Sequence, residues 1–331
     1  MKTRTIGESG LTVSQIGFGA WGIGGAYYGD VSDEDAIAAV RTYLDAGGNH
    51  LDTAYSYQKS EELVGRAIKG YDRDKIVIAS KTFAGLRGIG EIPEIRKELE
   101  VSLRGLGVDY LDIYMIHGSP ADPDVMAAIC DEFEALREEG LIRLIGASIP
   151  GPVVTDDRVA RARQYIRSGR IDLLQVNYSI ARQKLGEMFA EAEEKGVGIF
   201  CRWVYESGML TGKYPPGHEF IWPDTRNRYT PEERDGILKI GQELKGKLPP
   251  GYDNPAQAAA AFALATPHVT GIVLGATGPD QVRRNCAIDN LPPIPEQLFE
   301  ELVATYGPLN DQYNPTREYE HVDGRLGASV K

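Results

Sequence analysis

Four side chains that can hold or transfer protons stand at the ends of short apolar segments in the first part of the sequence. Asp52 and Tyr57 follow the second apolar segment, Lys81 ends the third, and His117 ends the fourth. Each residue alone has an ordinary structural explanation, such as packing for a tyrosine or solvation for a lysine. Together, an acid, a phenol, an ammonium group and an imidazole at the ends of three successive strands favour a site for acid–base chemistry.

The elements that must position these side chains are short apolar segments alternating with longer amphipathic patterns, as expected for strands and helices. The predicted strands are Val13–Phe18, His50–Thr53, Ile76–Ser80, Leu111–Ile116, Ile142–Ala147, Leu173–Val176, Val197–Cys201 and Gly271–Leu274. The predicted helices are Asp33–Ala46, Ser60–Lys69, Glu91–Leu106, Val125–Glu139, Val153–Ser168, Arg182–Lys195, Pro255–Thr266 and Pro279–Asp289. Eight such units favour an α/β fold closed into a (β/α)8 TIM barrel, where the carboxyl ends of the strands share the face that carries active sites.

Three segments lie outside the eightfold pattern. Residues 4–13 predict a β-hairpin before the barrel, with a glycine-containing turn. Ser207–Glu233, after the seventh barrel strand, is long and rich in glycine, proline and aromatic residues, and residues 292–331 follow the eighth unit. Long irregular segments are commonly functional, so we expect a lid after strand seven and either a second lid or a frayed terminus at the end. No linker interrupts the pattern, which predicts a single domain over residues 1–331.

Composition and charge narrow the functional classes. The 331 residues include 36 Lys and Arg against 48 Asp and Glu, a formal net charge of −12. This charge argues against an extended nucleic-acid surface but leaves room for a local basic pocket. No segment approaches the roughly 20 apolar residues of a membrane span, and no signal-peptide pattern is present, so a cytoplasmic location is expected. The three cysteines are far apart in the sequence, so no disulfide framework is expected. The histidines are scattered, so no metal site is expected. The sequence leaves the oligomeric state open.

Three sequence motifs carry a resemblance to a known enzyme family. They are Leu51–Tyr57 with Ser60, Glu61 and Gly65–Ala67; Lys81 followed by Asp109–Asp112 and His117; and Gly208–Tyr214. Over nearly its whole length the chain resembles the aldo-keto reductases, which act on carbonyl groups with a nicotinamide cofactor bound to a barrel. The resemblance implies that Asp52, Tyr57, Lys81 and His117 form the catalytic set.

The chemistry of carbonyl reduction explains why these four residue types would be needed. Hydride transfer to a carbonyl places negative charge on its oxygen, which then needs a proton or strong donors. The resemblance implies that Tyr57 is the general acid, that Lys81 stabilises its phenolate, and that Asp52 orients Lys81. His117 would hydrogen-bond the carbonyl oxygen or assist proton delivery. The motif selects Tyr57 over Tyr55, although alternation along an extended chain gives both residues the same face.

The resemblance also implies where the nicotinamide ring would bind. Ser148 and Gln175, near the ends of the fifth and sixth barrel strands, match residues that hold its carboxamide. Ile149 stands where the family usually has an asparagine, which removes one expected hydrogen bond. Arg202 takes the place of the residue that stacks on the ring, often a tyrosine. Either the planar guanidinium of Arg202 or the adjacent Trp203 could stack there.

The adenosine end of the cofactor is expected near Gly275, because amide groups at the start of the following helix can bind phosphate. Gly275 and Thr277 stand where NADP-dependent relatives commonly carry Lys or Arg, although Arg283 or Arg284 could reach a 2′-phosphate. NADP(H) is therefore the first expectation and NAD(H) the competing one. The expected cofactor contacts are Trp21, Asp52, Ser148, Gln175, Arg202, Gly208, Leu210, Gly212, Lys213, Gly275, Thr277, Gln281, Arg284 and Asn285.

Four aromatic residues are candidates for lining the entrance of the substrate site: Trp21, Tyr28, Tyr205 and Trp222. Aromatic side chains there would suit a sugar-like compound, and structural packing explains these residues equally well.

The leading hypothesis is an NADP(H)-dependent oxidoreductase that reduces aldehydes, ketones or sugar-like carbonyls, or oxidises the alcohols. A second hypothesis is a redox-sensing or auxiliary protein that binds the cofactor with little turnover. A third, a barrel isomerase or lyase without nicotinamide, is disfavoured because the sequence shows neither a metal cluster nor a separate proton-transfer pair.

Overall fold

A closed parallel barrel, preceded by a short antiparallel hairpin, forms the centre of the computed structural model. The structure describes residues 1–25, 31–151, 154–221, 224–313, 319–322 and 325–328. The hairpin strands are β1 (Thr3–Thr5) and β2 (Thr12–Ser14), and the barrel strands are β3 (Ile16–Gly19), β4 (His50–Asp52), β5 (Val77–Thr82), β6 (Leu111–His117), β7 (Ile142–Ser148), β8 (Leu173–Asn177), β9 (Gly198–Arg202) and β10 (Gly271–Gly275). β10 pairs with both β9 and β3, which closes the barrel and confirms the predicted architecture.

Helices surround the barrel and connect its strands. They are α1 (Asp33–Asp45), α2 (Ser60–Ile68), α3 (Ile92–Leu106), α4 (Pro123–Glu138), α5 (Asp156–Ser168), α6 (Phe189–Glu194), α7 (Pro231–Glu243), α8 (Pro255–Ala265), α9 (Pro279–Ala287) and α10 (Glu296–Tyr306). Their apolar faces pack against the outside of the strands in the larger buried cluster. Among the described residues, no helix has the length and apolar character needed to cross a membrane.

The hairpin covers the N-terminal end of the barrel. Ile6 and Val13 are fully buried, and they join Ile113, Met115 and Phe200 in a second apolar cluster that fills the barrel interior. The barrel is therefore a packed core rather than a channel, as is usual for this architecture. The polar candidate site residues lie at the opposite end of the barrel, at the carboxyl ends of the strands.

The first predicted strand, Val13–Phe18, divides into two in the structure. β2 pairs antiparallel with β1, while β3 pairs in parallel with β4 and β10. Gln15 lies between them, and its carbonyl oxygen accepts a hydrogen bond from the backbone of Ile272. One predicted strand thus contributes to two sheets, a division that periodicity alone does not reveal.

Two helices lie in segments that the sequence analysis treated as irregular. α7 begins at the end of the predicted lid, and α10 lies in the C-terminal extension, which also contains the hairpin β11 (Tyr319–Val322) and β12 (Arg325–Ala328). α7 starts with a capping box in which Thr230 Oγ1 accepts from the Glu233 backbone and Glu233 Oε2 accepts from the Thr230 backbone. The sequence Thr230-Pro231-Glu232-Glu233 is itself a helix-start signal.

Candidate active site

The polar residues singled out in the sequence meet at the carboxyl ends of neighbouring barrel strands. Asp52 ends β4, Lys81 lies one residue before the end of β5, His117 ends β6 and Ser148 ends β7. His117 is directly opposite Ser148 in the strand register, and Ser148 is opposite Gln175 of β8. Because all these strands are parallel, their final residues face the same mouth of the barrel.

Lys81 and Asp52 form an ion pair that is buried at the base of this mouth. Lys81 Nζ lies 2.7 Å from Asp52 Oδ1 and donates a second hydrogen bond of 2.7 Å to the backbone oxygen of Thr53. The other carboxylate oxygen of Asp52 accepts from Gln175 Nε2 at 2.7 Å. The two charged side chains are 0% and 5% exposed. Such burial is tolerated because each charge is paired and hydrogen-bonded, and those bonds fix the position of the ammonium group.

Tyr57 and His117 lie directly above this ion pair. Lys81 Nζ is 5.2 Å from the centroid of the Tyr57 ring. The Tyr57 and His117 rings meet edge to face with centroids 5.7 Å apart, and Phe83 stacks on His117 at 4.2 Å. The structure therefore brings all four predicted catalytic side chains together. Tyr55, the alternative phenol, is 39% exposed and does not line the cavity described next.

A cavity of about 970 Å³ extends from this cluster across the mouth of the barrel. Of the predicted cofactor and substrate residues, it is lined by Trp21, Asp52, Gln175, Arg202, Tyr205, Gly208, Lys213, Gly275, Thr277, Gln281, Arg284 and Asn285. Ser148, Leu210 and Gly212 lie behind the described wall, where Leu210 is fully buried in the apolar core. Tyr28 and Trp222 lie outside the described residues.

Several buried polar atoms near the end of the cavity beside Asp52 lack hydrogen-bond partners within the described part of the chain. They are Ser148 Oγ, Gln175 Oε1 and both side-chain amide atoms of Asn177, on residues no more than 2% exposed. Buried polar atoms are normally paired, so an unpaired atom on a cavity wall is suited to a ligand. Gln175 lines the cavity, and its unpaired Oε1 fits an amide group such as the carboxamide of the expected cofactor, whereas Ser148 and Asn177 are not on the described wall. Asn177 was missed in the sequence, although it shares a strand face with Gln175.

Comparison with known proteins identifies the family of this barrel. Residues 15–306 match the family model described as "Aldo/keto reductase family". The chain belongs to the aldo/keto reductase family. Membership makes it an NAD(P)H-dependent oxidoreductase, as the sequence resemblance implied.

Individual relatives of this aldo/keto reductase carry different names. An NADH-specific methylglyoxal reductase of Escherichia coli (strain K12) is 30% identical over 316 residues, covering 88% of this chain and 94% of that protein. A Schizosaccharomyces pombe protein named as a candidate voltage-gated potassium channel subunit beta is 30% identical over 334 residues, covering 94% and 95%. The solved holo structure of aldo-keto reductase AKR11C1 from Bacillus halodurans has a TM-score of 0.72 and 27% identity, covering 94% of this chain and 99% of that one.

Arg202 and Trp203 of this aldo/keto reductase both line the cavity after β9. Arg202 Nη2 donates a 2.9 Å hydrogen bond to the backbone oxygen of Ile149, and its guanidinium carbon lies 6.0 Å from the Trp203 ring centroid. Trp203 has a φ of +59°, a left-handed conformation that is uncommon for a bulky residue. Arg202 thus connects the loops after β7 and β9. The planar side chains of Arg202 and Trp203 both remain candidates for stacking on the nicotinamide ring.

The far end of the cavity is built from the loop after β10 and the first turns of α9. Gln281 Oε1 accepts from the backbone nitrogen of Thr277 at 2.6 Å and from its hydroxyl at 3.0 Å. Asn285 is held by Tyr205, whose hydroxyl lies 3.3 Å from Asn285 Oδ1. Arg284 lines the cavity and forms no ion pair with any described residue, whereas Arg283 is paired with Asp280 at 2.5 Å. Of these two neighbouring arginines, Arg284 is therefore the one placed to bind an anionic ligand in the cavity.

A second cationic group lies on the loop after β9. Arg226 is held by both carboxylate oxygens of Asp224, at 2.8 and 2.5 Å, and its guanidinium carbon stacks 3.7 Å from the Phe220 ring centroid. Burial acts to raise the pKa of Tyr214, but hydrogen bonds and positive charge from Arg226 and Lys213 lower this pKa below its ordinary value. Lys213 was predicted from its sequence motif, but Arg226 was not, because its position depends on contacts across the loop. Among the described residues, no group of three His, Cys, Asp or Glu is arranged to hold a metal ion.

Proposed function

We propose that this aldo/keto reductase transfers hydride between NADP(H) and a small aldehyde, ketone or sugar-like carbonyl compound, with Tyr57 as the general acid and base. We take residues 1–331 as one functional domain. The observation that carries the proposal is the buried Lys81–Asp52 pair beside Tyr57 and His117, at the part of the cavity that Asp52 and Gln175 also line. This arrangement supplies both proton transfer and a place to hold the reacting ring.

The side chains divide the reaction between them. Bound NAD(P)H supplies the hydride that adds to the carbonyl carbon. Tyr57 donates its phenolic proton to the carbonyl oxygen, so the product is a neutral alcohol and the enzyme retains a phenolate until it is reprotonated. The ammonium group of Lys81 lies close enough to stabilise that phenolate, and Asp52 keeps the ammonium in place. His117 donates to the carbonyl oxygen and orients it.

The choice between the two nicotinamide cofactors depends on Arg284. Its position on the cavity wall, without an ion pair among the described residues, supports recognition of the 2′-phosphate of NADP(H). NAD(H) is the competing candidate, supported by the NADH-specific E. coli relative and by the uncharged Gly275 and Thr277.

Fluorescence titration with NADPH and NADH tests this choice. We expect the wild-type protein to bind NADPH at least about tenfold more tightly, and Arg284→Met to remove that preference, because a charge-assisted contact to phosphate is lost. Arg283→Met is the matched control, since its neighbouring guanidinium is engaged by Asp280, and it should keep the preference. Tighter binding of NADH by the wild-type protein would assign the enzyme to NAD(H).

A second candidate function is supported by the S. pombe relative, whose name places it among potassium channel beta subunits. In that case the protein would bind the cofactor as a redox-sensing or auxiliary component and turn over slowly. A panel of aldehydes, ketones and aldoses distinguishes the two functions. Tight cofactor binding without turnover of any carbonyl would favour the auxiliary role, whereas sustained oxidation of NADPH favours the reductase.

A further inference from the structure

The segment that follows β5 connects the proposed catalytic lysine to the wall of the cavity. Lys81 is followed by Thr82, which ends β5, and then by Phe83, which lines the cavity. The Phe83 ring stacks on the His117 imidazole at the end of β6, with centroids 4.2 Å apart and an interplanar angle of 14°. The position of this segment therefore decides the surface on which the His117 ring rests.

Glu98 of α3 contacts this segment directly. Its Oε2 atom accepts a hydrogen bond from the Thr82 hydroxyl, and the Thr82 hydroxyl oxygen accepts one of 2.9 Å from the backbone nitrogen of Ala84. Burial raises the pKa of Glu98, while hydrogen bonds from Thr82 and from the backbone amides of Phe83 and Ala84 act in the opposite direction. Donors from three successive residues thus converge on one carboxylate, and hydrogen bonds to an ionised acceptor are stronger than neutral ones.

A second carboxylate holds the rest of the same loop. Glu91 Oε2 accepts hydrogen bonds of 3.2 Å from the backbone nitrogens of Gly85 and Arg87. Leu86, between these two residues, lines the cavity. Glu91 therefore fixes the later part of the loop, whereas Glu98 fixes the part that carries Phe83.

We propose that Glu98 is a positioning residue of the active site, which holds the end of β5 so that the Phe83 ring stays against His117. This inference rests on the proposed function and adds a residue to its machinery. Glu98 is not on the described cavity wall, so it acts through His117, whose ring centroid lies 5.7 Å from that of Tyr57. Displacing the imidazole costs rate, because its hydrogen bond to the carbonyl oxygen requires close alignment.

Nuclear Overhauser contacts between histidine and phenylalanine ring protons test the proposal without any turnover. Wild-type protein deuterated except at these residues should show contacts for Phe83 with His117 and for Phe200 with His50, whose centroids are 4.2 and 4.9 Å apart. The signals are assigned by their absence in His117→Gln and His50→Phe. We expect Glu98→Ala to lose the first contact and keep the second, because only the segment after β5 is released.

Kinetics test whether the effect passes through His117. We expect Glu98→Ala to lower kcat for an aldehyde by at least about tenfold and to leave cofactor affinity within about twofold of wild type. In a His117→Gln background the same substitution should change kcat by less than about twofold, because the group that Glu98 positions is already missing. The control is Glu94→Ala on the same helix, whose exposed carboxylate pairs with Lys97 at 2.6 Å; kcat and both ring contacts should be unchanged.

Retention of the ring contact between Phe83 and His117 in Glu98→Ala, or an equal loss of kcat with and without His117, would overturn the proposal. Should Glu98→Ala not fold, as loss of the contact between His50 and Phe200 would reveal, the same measurements are made on Glu98→Gln. That variant keeps the side-chain volume and exchanges one accepting oxygen for a donor, so the contact and kcat should both fall, and unchanged values would reject the positioning role.

The ring contact also separates this proposal from the proposed function. Because it is measured in the resting protein, its loss in Glu98→Ala supports the positioning role of Glu98 even if no carbonyl compound is turned over. In that case only the reductase function fails. Normal turnover with an intact ring contact in Glu98→Ala leaves the reductase function standing and rejects the role of Glu98.

Discussion

The ammonium group of Lys81 is fully buried, and a buried charge is costly unless the structure compensates it. Asp52 and the carbonyl oxygen of Thr53 each accept from it at 2.7 Å. Gln175 then donates to the second oxygen of Asp52. Every member of this network lies on or directly after a barrel strand, so the backbone fixes the geometry before any ligand binds. The charge beneath Tyr57 is in place in advance, which is the form of electrostatic stabilisation that enzymes exploit.

Replacing Tyr57 with phenylalanine tests the role of its hydroxyl. We expect turnover of an aldehyde to fall by about 10²–10⁴-fold, because the proton donor is removed while the ring is kept. Cofactor affinity, measured by fluorescence titration, should stay within about twofold of wild type, because only the phenolic oxygen is removed. Tyr55→Phe is the matched control, since Tyr55 is exposed and outside the described cavity wall. Loss of turnover in Tyr55→Phe with normal activity in Tyr57→Phe would reverse the assignment.

Residues that belong to local motifs could be found from the sequence, and those that depend on distant contacts could not. Asp52 and Tyr57 lie five positions apart in one segment, and a strand pattern places Lys81 and His117 near them. Asn177 gave no such signal, because its burial against Gly151 is a consequence of the packed structure; a Cβ atom on Gly151 would lie 1.7 Å from Asn177 Nδ2.

At the level of elements, a buried ion pair connects the loops after β8 and β9. Arg182 Nε lies 2.9 Å from Glu206 Oε2, and both side chains are 0% exposed. Ser179 donates to the other oxygen of Glu206 at 2.7 Å, and the Tyr229 hydroxyl accepts from Arg182 at 3.2 Å. Glu206 and the following Ser207 have φ values of +47° and +54°. Side chains rarely adopt this conformation unless the surroundings enforce it, so the ion pair holds the loop that forms one wall of the cavity.

Glu206→Gln should therefore destabilise the protein by about 3 kcal/mol, because it removes the negative charge that lies 2.9 Å from the buried guanidinium of Arg182. The measurement is the free energy of unfolding from denaturant titration. Glu94→Gln is the control, since Glu94 and Lys97 form an exposed pair at 2.6 Å and their loss should cost about 0.5 kcal/mol or less. Removing both charges with Arg182→Met and Glu206→Leu should recover part of the stability. Similar values for Glu206→Gln and Glu94→Gln would contradict this account.

One predicted helix is helical over most of its length but is not an α-helix throughout. The apolar periodicity predicted a helix over Arg182–Lys195, whereas Arg182 forms a backbone bridge with Ser179, Lys184–Met188 is a 3₁₀-helix, and α6 follows over Phe189–Glu194. The barrel strands were easier to foresee, because their continuous apolar runs arise from burial on both faces. Helix ends depend on individual side-chain contacts, which a single sequence does not display.

For the whole molecule, the barrel separates chemistry from packing along its axis. The carboxyl ends of the strands carry the cavity, while His50 lies buried at the other end of β4. Its ring meets Phe200 edge to face with centroids 4.9 Å apart. Gly17 on the neighbouring strand leaves room for it, because a Cβ atom there would approach His50 Nδ1 to 2.6 Å. His50 Nδ1 has no hydrogen-bond partner in the described chain, so the packing suits an uncharged ring.

Burial of His50 makes the stability of the whole molecule depend on pH. Desolvation lowers the pKa of His50 from 6.5 to about 4, with Lys81 acting in the same direction and Asp52 and Asp112 opposing it. Between these two pKa values the unfolded chain binds a proton that the folded chain does not, so acidification favours unfolding. His50→Phe should remove this contribution: relative to wild type, its unfolding free energy should improve by about 2 kcal/mol between about pH 7 and about pH 5. Denaturant titrations at both pH values measure the difference, and parallel pH dependences of the two proteins would show that His50 does not titrate on unfolding.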